Sequence, residues 1–269
     1  MKLEAWLAEA ASKLTAIDIG SGRLDALILL EDLLDHDRAY ILAHPEIELK
    51  PEQLNKLKKQ LDRRLRHEPL AYIRGFSEFY GRKFKVNKRV LEPRPESETM
   101  IELLKQLKLP PKPIVADIGT GSGAIGITAK LEINDAIVDL YDIDSGCLAV
   151  AKHNMMLHEL HLHAYKRDLL TRPVQNYDVI LANLPYVPNS WKINEAAAME
   201  PRIAIFGGKD GLDLYRRMFS QLSRMERQPK FVFTESLPPQ HEELAKIAVS
   251  YDYKLQTSQD FIQVFMKPD

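Results

Sequence analysis

One segment of the chain combines groups that could hold an NH2 group: Asn183, Leu184, Pro185 and Tyr186. It directly follows an apolar run, residues 177–182, which is typical of a buried parallel strand. Open α/β sheets bind their ligands at the carboxyl ends of such strands. The side-chain oxygen of Asn183 and the carbonyl of Leu184 can both accept hydrogen bonds from one planar NH2 group. The segment therefore predicts a cradle for an amide or amino nitrogen, with a plain strand-end turn as the alternative.

A glycine-rich turn lies at the end of an earlier apolar strand, residues 114–118. Its residues are Gly119, Thr120, Gly121, Ser122 and Gly123. Asp117 precedes them, which completes the pattern D-x-G-x-G-x-G. Glycines let a ligand approach the backbone, and the start of the following helix presents unpaired N–H groups. The next strand, residues 136–141, ends in Asp142, where a carboxylate that binds a ribose is expected, so both features predict a nucleotide-like cofactor.

The turn also contains a literal G-x-G-x-x-G at residues 121–126, which raises the alternative of a nicotinamide or flavin dinucleotide. Two observations argue against a dinucleotide. Asp117 precedes the turn in the form D-x-G-x-G-x-G, and no downstream residue set suggests hydride transfer. The aspartate before the turn, the acidic residue after the second strand and N-x-P-Y after the fourth resemble the class I methyltransferases. These enzymes use S-adenosylmethionine and release S-adenosylhomocysteine. The resemblance implies a Rossmann-like α/β fold whose mostly parallel, seven-stranded sheet closes with an antiparallel hairpin.

Further segments resemble the release factor N5-glutamine methyltransferases, which methylate the glutamine of a Gly-Gly-Gln motif in peptide chain release factors. They are residues 68–75, 78–81, 90–98, 200–202 and 207–212, with an N-terminal stretch at 23–30 that looks like the family's helical domain. Together they cover nearly the whole chain. The resemblance implies an S-adenosylmethionine-dependent protein-glutamine methyltransferase whose partners are release factors.

The resemblance also implies roles for individual residues. Contacts to the cofactor would come from Asp117, Gly119, Thr120, Gly121, Ser122, Gly123, Asp142, Asp168, Leu169 and Asn183. Contacts to the substrate would come from the catalytic segment Asn183, Leu184, Pro185 and Tyr186, and from a rim formed by Glu200, Pro201 and Arg202. In the alternative interpretation, Asp117 holds the turn, Asp142 caps the next helix and Asp168 caps a loop turn.

The chemistry implied by the resemblance depends on alignment, because a sulfonium methyl group is already activated. A glutamine amide nitrogen is a weak nucleophile, since its lone pair is delocalised into the carbonyl. Hydrogen bonds from its two protons to Asn183 Oδ1 and the Leu184 carbonyl would orient the nitrogen. These bonds would strengthen as positive charge develops in the transition state.

Position 184 leaves the choice of substrate open. The family usually has Pro where this chain has Leu184, and N-L-P-Y resembles the enzymes that dimethylate adenine in ribosomal RNA. An adenine N6 methyltransferase acting on RNA or DNA is therefore the second hypothesis. A binding module that has lost catalysis is the third.

The composition indicates a globular protein, with 45% hydrophobic and 28% charged residues among 269. A single cysteine, Cys147, excludes an intramolecular disulfide and indicates a reducing compartment; we expect it to pack in the core or at a helix start. Signal-peptide features are missing from the N-terminus, and no segment has ~18 uninterrupted apolar residues. We therefore expect a cytoplasmic protein with no membrane contact. Because no dimer signature is evident, we expect a monomer.

The net charge of −1 hides an uneven distribution. Residues 1–49 carry a net charge of −6, residues 50–94 of +9 and residues 95–269 of −4. Six of the basic residues fall on one predicted helix with a leucine stripe: Lys56, Lys58, Lys59, Arg63, Arg64 and Arg66. A solvated helix face is the simpler interpretation. The alternative is attraction of an acidic protein surface, or contact with RNA, through the basic segment 50–94.

The remaining patterns predict the elements that position these residues. Helical patterns cover 2–13, 22–34, 37–43 and 51–67, followed by hairpin strands at 76–79 and 83–86 and a helix at 96–107. Strand and helix patterns then alternate, and the last strands are predicted at 230–234, 253–257 and 261–267. We expect a helical substrate-docking domain at 1–72, a β-hairpin linker at 73–94 and a methyltransferase domain at 95–269. Four histidines at positions 153–163 are interpreted as surface residues, so no metal is required.

Overall fold

The fold of residues 1–268 is described from a computed structural model. The chain divides into two compact units. Residues 1–75 and 194–199 form the first, and the other described residues form the second. The predicted linker residues up to 75 thus belong to the first unit, and the hairpin belongs to the second. The three-part division made from the sequence stays a prediction.

The first unit contains a helical bundle with a leucine-rich core. Its N-terminal helices are α1 (Leu3–Thr15), α2 (Gly22–Leu34), α3 (Arg38–Ala43), α4 (Pro51–Arg64) and α5 (Leu70–Arg74). The apolar faces of α1, α2 and α4 meet in this core, as their three- to four-residue spacing predicts. The sequence patterns indicated α1 to α4 but missed α5, which starts after Pro69 and ends at Gly75 in a left-handed conformation.

Two expectations about α4 are wrong. The helix ends at Arg64 rather than 67, because His67 adopts a left-handed conformation (φ 61°) and Pro69 disfavours helix at the residue before it. Arg64 does not belong to the solvated face, since it is only 8% exposed and its Nε donates to Asp25 Oδ2 at 2.7 Å. The lysines of the helix are exposed as expected: Lys56, Lys58 and Lys59.

The second unit contains a small hairpin and a large sheet. The hairpin pairs β1 (Phe76–Phe79) with β2 (Arg82–Lys85), and both turn residues, Tyr80 and Gly81, have positive φ, as tight hairpin turns require. The sheet contains β3 (Ile114–Ile118), β4 (Ile137–Asp142), β5 (His163–Lys166), β6 (Val179–Ala182), β7 (Phe231–Glu235), β8 (Lys254–Gln259) and β9 (Ile262–Met266).

The strand order of the sheet is β5-β4-β3-β6-β7-β9-β8. The first five strands of this order are parallel, and β9 runs antiparallel to both β7 and β8. The expected α/β fold is therefore confirmed, including the mostly parallel seven-stranded sheet and the closing hairpin. Among residues 1–268, no helix has both the length and the apolarity that a bilayer span needs.

Helices cover both faces of the sheet. They are α6 (Glu98–Gln106), α7 (Ala124–Glu132), α8 (Ser145–Leu157), α10 (Asp213–Leu222) and α11 (His241–Val249), whereas α9 (Glu195–Ala198) belongs to the first unit. One core cluster contains α6, α7 and α8, and the other contains α10 and α11. Successive residues of β6 alternate between the clusters, as side chains of a strand must. A 3-10 turn, Pro95–Ser97, replaces the first turn of the helix predicted at 96–107.

Candidate active site

A cavity of about 400 Å³ lies at the carboxyl ends of the parallel strands. This volume is in the range of small-molecule sites, and the position is the one expected for an open α/β sheet. It brings together nine of the predicted site residues: Gly119, Gly121, Asp142, Asp168, Leu169, Asn183, Leu184, Pro185 and Pro201. The other predicted residues surround these without lining the cavity: Asp117, Thr120, Ser122, Gly123, Tyr186, Glu200 and Arg202.

Asp117 holds the glycine turn from behind. Its Oδ2 accepts hydrogen bonds from Thr120 Oγ1 at 2.6 Å and from the N–H of Gly126 at 2.9 Å. A Cβ on Gly126 would come within 2.9 Å of the same oxygen and 2.3 Å of Leu140, so only glycine fits there. Burial raises the pKa of Asp117 to about 6, although the two hydrogen bonds act to lower it. The carboxylate thereby joins the turn to the start of α7.

Asp142 ends β4 and lines the cavity. Its Oδ2 accepts from the N–H of Gly121 at 2.9 Å, and its Oδ1 accepts from the N–H of Asp144 at 2.8 Å. Burial raises the pKa of Asp142, and these two backbone hydrogen bonds oppose the rise. The alternative in which Asp142 caps the helix is wrong, because the N-cap of α8 is Asp144. Asp142 is oriented at the cavity by the backbone on both sides.

Asp168 and Leu169 form another part of the cavity wall. The Asp168 carboxylate pairs with Arg217 of α10, and its backbone carbonyl accepts from the N–H of Thr171 at 3.2 Å. Leu169 has a left-handed backbone (φ 52°), which is uncommon for a residue with a Cβ. Its side chain is buried among the apolar residues below the cavity.

The Asn183 side chain lies in a polar cluster with Ser97, Glu235 and Tyr186. Its Nδ2 donates to Ser97 Oγ at 3.0 Å, and Ser97 Oγ donates to Glu235 Oε2 at 2.6 Å. The other oxygen of Glu235 accepts from the Tyr186 hydroxyl at 3.2 Å. Glu235 is 1% exposed, and this burial raises its pKa to about 7 against the hydrogen bonds from Ser97 and Tyr186. Asn183 also acts on this carboxylate through a side-chain hydrogen bond that opposes the rise in its pKa.

The backbone after Asn183 is clamped on several sides. The N–H of Leu184 donates to the Tyr215 hydroxyl at 3.2 Å, and Gln240 Nε2 donates to the Tyr186 carbonyl at 2.8 Å. A Cβ on Gly207 would lie 2.1 Å from the Pro185 carbonyl oxygen. One on Gly211 would lie 1.9 Å from the carbonyl of Tyr186. These glycines let the loop at 207–211 pack directly against residues 183–186.

Glu200, which was predicted as part of the substrate rim, is buried. It is 5% exposed, pairs with Arg94 and accepts from the N–H of Glu92 at 3.1 Å. Burial raises the pKa of Glu200, and the Arg94 charge opposes the rise. Arg94 and Glu92 line the cavity, so Glu200 positions part of its wall. Arg202 is exposed, with its guanidinium 4.5 Å from the centre of the Phe206 ring.

Sequence reasoning missed several residues of the site. Ser97, Arg89 and Glu235 were assigned no role from the sequence. Ser97 and Arg89 line the cavity, and Glu235 is bonded to Ser97. The P-R-P-E segment preceding Ser97 was the available signal. Cys147 is buried at the start of α8, as expected, and its Sγ donates to the Arg89 carbonyl at 3.2 Å. Within residues 1–268, no group of three or more His, Cys, Asp or Glu side chains could hold a metal ion.

Comparisons with known proteins show which family this chain resembles. The PrmC N-terminal domain family matches residues 5–75, and the Methyltransferase small domain family matches residues 97–200. A release factor glutamine methyltransferase of Koribacter versatilis is 37% identical over 230 residues, which covers 82% of this chain and 81% of that protein. A bifunctional methyltransferase of Rickettsia bellii is 31% identical over 290 residues, but this chain spans only 51% of its length.

Among solved structures, the hMettl16 catalytic domain in complex with MAT2A 3′UTR hairpin 1 has a TM-score of 0.57 and covers 90% of this chain and 93% of that chain. Its sequence identity is 12%, so this likeness shows the fold alone. The Koribacter protein is similar enough, over enough of both chains, to show more than the fold. This chain belongs to the release factor glutamine methyltransferase family.

Proposed function

We propose that this chain transfers a methyl group from S-adenosylmethionine to the side-chain amide nitrogen, N5, of the glutamine in the Gly-Gly-Gln motif of peptide chain release factors. The proposal is carried by the orientation of the Asn183 carboxamide at the cavity. Its Nδ2 is bonded to Ser97 at 3.0 Å, which leaves Oδ1 as the acceptor for a ligand. An acceptor at this place suits an NH2 group.

The cavity residues fit S-adenosylmethionine. The turn is open at Gly121, where a Cβ would meet nothing closer than the Gly119 carbonyl oxygen at 3.9 Å. Gly119 to Gly123 would hold the methionine part and Asp142 the ribose, while Asp168 and Leu169 would lie beside the adenine. When bound, the cofactor supplies a methyl group that its sulfonium has already activated.

The chain's own contribution is to orient the amide. Asn183 Oδ1 and the Leu184 carbonyl accept its two protons. The Tyr215 hydroxyl lies 3.5 Å from the Leu184 carbonyl but closer to the carbonyl of Glu235, so its single proton leaves Leu184 available. Both acceptors are fixed before the substrate arrives, and their hydrogen bonds strengthen as the nitrogen gains positive charge. Tyr186 packs beside them.

The release factor would be recognised by the surface around the cavity and by the helical first unit. Pro201 and Arg202 belong to the proposed substrate rim, beside Ile203, which is 63% exposed. The exposed lysines of α4 are the part of the basic segment 50–94 that could contact RNA. A monomer in the cytoplasm remains our expectation.

The proposal is tested by incubating the protein with labelled S-adenosylmethionine and a release factor, followed by mass spectrometry of the Gly-Gly-Gln peptide. We expect one methyl group on the glutamine, and none on a release factor in which that glutamine is replaced by glutamate. Parallel reactions contain ribosomal RNA and DNA. Methylated adenine in these reactions with an unmodified release factor would contradict the proposal in favour of the nucleic-acid hypothesis. Modification of neither class would favour a binding module.

A further inference from the structure

The Asn183 carboxamide can face the cavity in two ways that differ in chemistry but hardly in shape. With Oδ1 towards the cavity it accepts a proton from a substrate NH2 group, and with Nδ2 towards the cavity it presents a second donor. Which atom faces the cavity must be decided by the partners behind it. Those partners are Ser97, at 3.0 Å from Nδ2, and Glu235, which is bonded to Ser97 and also interacts with the Asn183 side chain directly.

Proton counting fixes the direction of this chain of hydrogen bonds. An ionised carboxylate only accepts, so Glu235 takes the single hydroxyl proton of Ser97. Ser97 Oγ can then only accept from Asn183, which must turn Nδ2 towards it. If Glu235 is protonated it can donate to Ser97 instead, which frees the serine proton for Asn183 Oδ1. The carboxamide can then turn over and lose its acceptor at the cavity.

We propose that Glu235 is a positioning residue for methyl transfer, because its ionised carboxylate acts through Ser97 to keep Asn183 Oδ1 directed at the substrate amide. This inference rests on the proposed function for its kinetic consequence, although the orientation itself needs no substrate. Glu235 forms part of the same cluster through Tyr186, whose hydroxyl donates to Oε1 at 3.2 Å. One carboxylate therefore connects both polar side chains of the catalytic segment.

The surroundings of Glu235 suit such a role. The titratable and charged groups around it are Glu96 beside Ser97, Tyr186, Tyr215 of α10, and His241 of α11, which lies against the adjacent Ser236 carbonyl. Arg94 acts on Tyr186. Across the sheet, Glu235 is opposite Ile262 of β9, which is apolar. Burial raises the pKa of Glu235 to about 7, so the carboxylate changes charge near neutral pH.

The direct test is NMR of the Asn183 side-chain NH2 group without substrate, assigned from its absence in Asn183→Ala. We expect this signal to shift between about pH 6 and about pH 8 in the wild-type protein, around the pKa of Glu235. In Glu235→Gln we expect no such titration. A pH-independent Asn183 signal in the wild-type protein would overturn the inference.

Turnover provides the second test. Wild-type kcat should fall as the pH drops through about 7, and Glu235→Gln should be slow at every pH, by roughly 10- to 100-fold, because the amide is misaligned. Ser97→Ala should be similarly slow, whereas Ser97→Thr keeps the hydroxyl and should restore turnover. Affinity for S-adenosylmethionine should stay unchanged. The matched control is Asp139→Asn, which alters a fully buried carboxylate bonded to Tyr177 outside the cavity. This variant should keep the wild-type fall in kcat at acid pH.

The two proposals can fail separately. If Glu235→Gln and Ser97→Ala keep the wild-type rate and its fall at acid pH, Glu235 has no positioning role, but the proposed methylation of glutamine is unaffected. If the wild-type protein methylates no glutamine, the proposed function fails, and the NMR titration still decides whether Glu235 orients Asn183.

Discussion

Two clusters at the same edge of the sheet hold buried carboxylates by different means. At the end of β4, Asp142 accepts from the backbone N–H groups of Gly121 and Asp144. At the end of β7, Glu235 accepts from the hydroxyls of Ser97 and Tyr186. Backbone donors are fixed by the path of the turn, so they hold a group in place whatever its neighbours are. Hydroxyl donors can reverse their direction, so they transmit the charge state of the acid to other side chains.

The sharpest way to separate the clusters is Asn183→Ala. We expect a fall in kcat of roughly 100- to 1000-fold, the usual effect of removing one preorganised hydrogen-bonding group at a reacting centre. Affinity for S-adenosylmethionine should change little, because the glycine turn and Asp142 are untouched. Single-turnover methylation of a release factor and calorimetric titration with the cofactor measure the two effects. Asn176→Ala, at an exposed position, is the control. Equal loss of both quantities would contradict the role given to Asn183.

A comparison of stability against pH should expose the charge held by Glu235. Its pKa is about 7 in the folded protein against 4.5 ordinarily, so the folded state binds more protons between these values. Stability present below pH 4.5 is therefore lost as the pH rises through about 7. Relative to Glu235→Gln, the wild-type free energy of unfolding should fall by up to about 3 kcal/mol over this range. Asp117 titrates in both proteins, so its contribution cancels.

Urea denaturation of the two proteins at several pH values measures this difference. Glutamine has nearly the same shape as glutamate and does not titrate, so Glu235→Gln is the matched control for the wild-type protein. A constant difference between the two proteins from acid to neutral pH would show that Glu235 is not held in a buried, unfavourable charge state.

Asp142→Asn should show the opposite division of effects from Asn183→Ala. The new NH2 group must face the N–H of Gly121 or of Asp144, so the part of the site proposed to hold the cofactor loses its alignment. We expect affinity for S-adenosylmethionine to fall roughly 10- to 100-fold, as for loss of a hydrogen bond to a charged group. At saturating cofactor, kcat should be close to that of the wild-type protein. Asp135→Asn is an exposed control. A lower kcat with unchanged affinity for S-adenosylmethionine would contradict the separate roles given to the two clusters.

Leu184→Pro introduces the residue that the family resemblance implies at this position, and we expect the smallest effect there. The substitution removes the N–H that donates to Tyr215 and the side chain that packs against Gly119, where an added Cβ would lie 3.0 Å from Leu184 Cδ2. We expect a loss of about 1–3 kcal/mol in stability, from one hydrogen bond and some apolar packing. Methylation should persist, because the carbonyl of residue 184 remains.

Thermal and urea unfolding measure this loss, and Tyr215→Phe provides the comparison, since it removes the same hydrogen bond from the other partner. If Leu184→Pro shifted methylation from the release factor to RNA, or from RNA to the release factor, position 184 would determine substrate choice rather than stability.

The two clusters also differ in how far the sequence reveals them. The glycine turn, Asp142 and the segment after β6 are contiguous motifs, and local spacing was enough to place them at strand ends. The cluster around Glu235 joins residues 138 positions apart, so only the folded sheet shows that Ser97 and Glu235 meet. Arg64 is a second residue whose environment depends on a distant contact. Helical periodicity alone placed it with the exposed lysines. Its partner Asp25 lies 39 positions away and draws it into the interior.

The position of β9 has a consequence for synthesis of the protein. Although β9 is the last strand along the chain, it lies inside the sheet and pairs with β7, which ends in Glu235. A nascent chain on the ribosome can form the glycine turn and its flanking strands early, but β7 lacks its outer neighbour until residue 266 has left the exit tunnel. The cluster around Glu235, for which we propose the substrate-orienting role, is therefore completed last. Chains cut short before β9 should fold around the glycine turn without a correctly oriented Asn183.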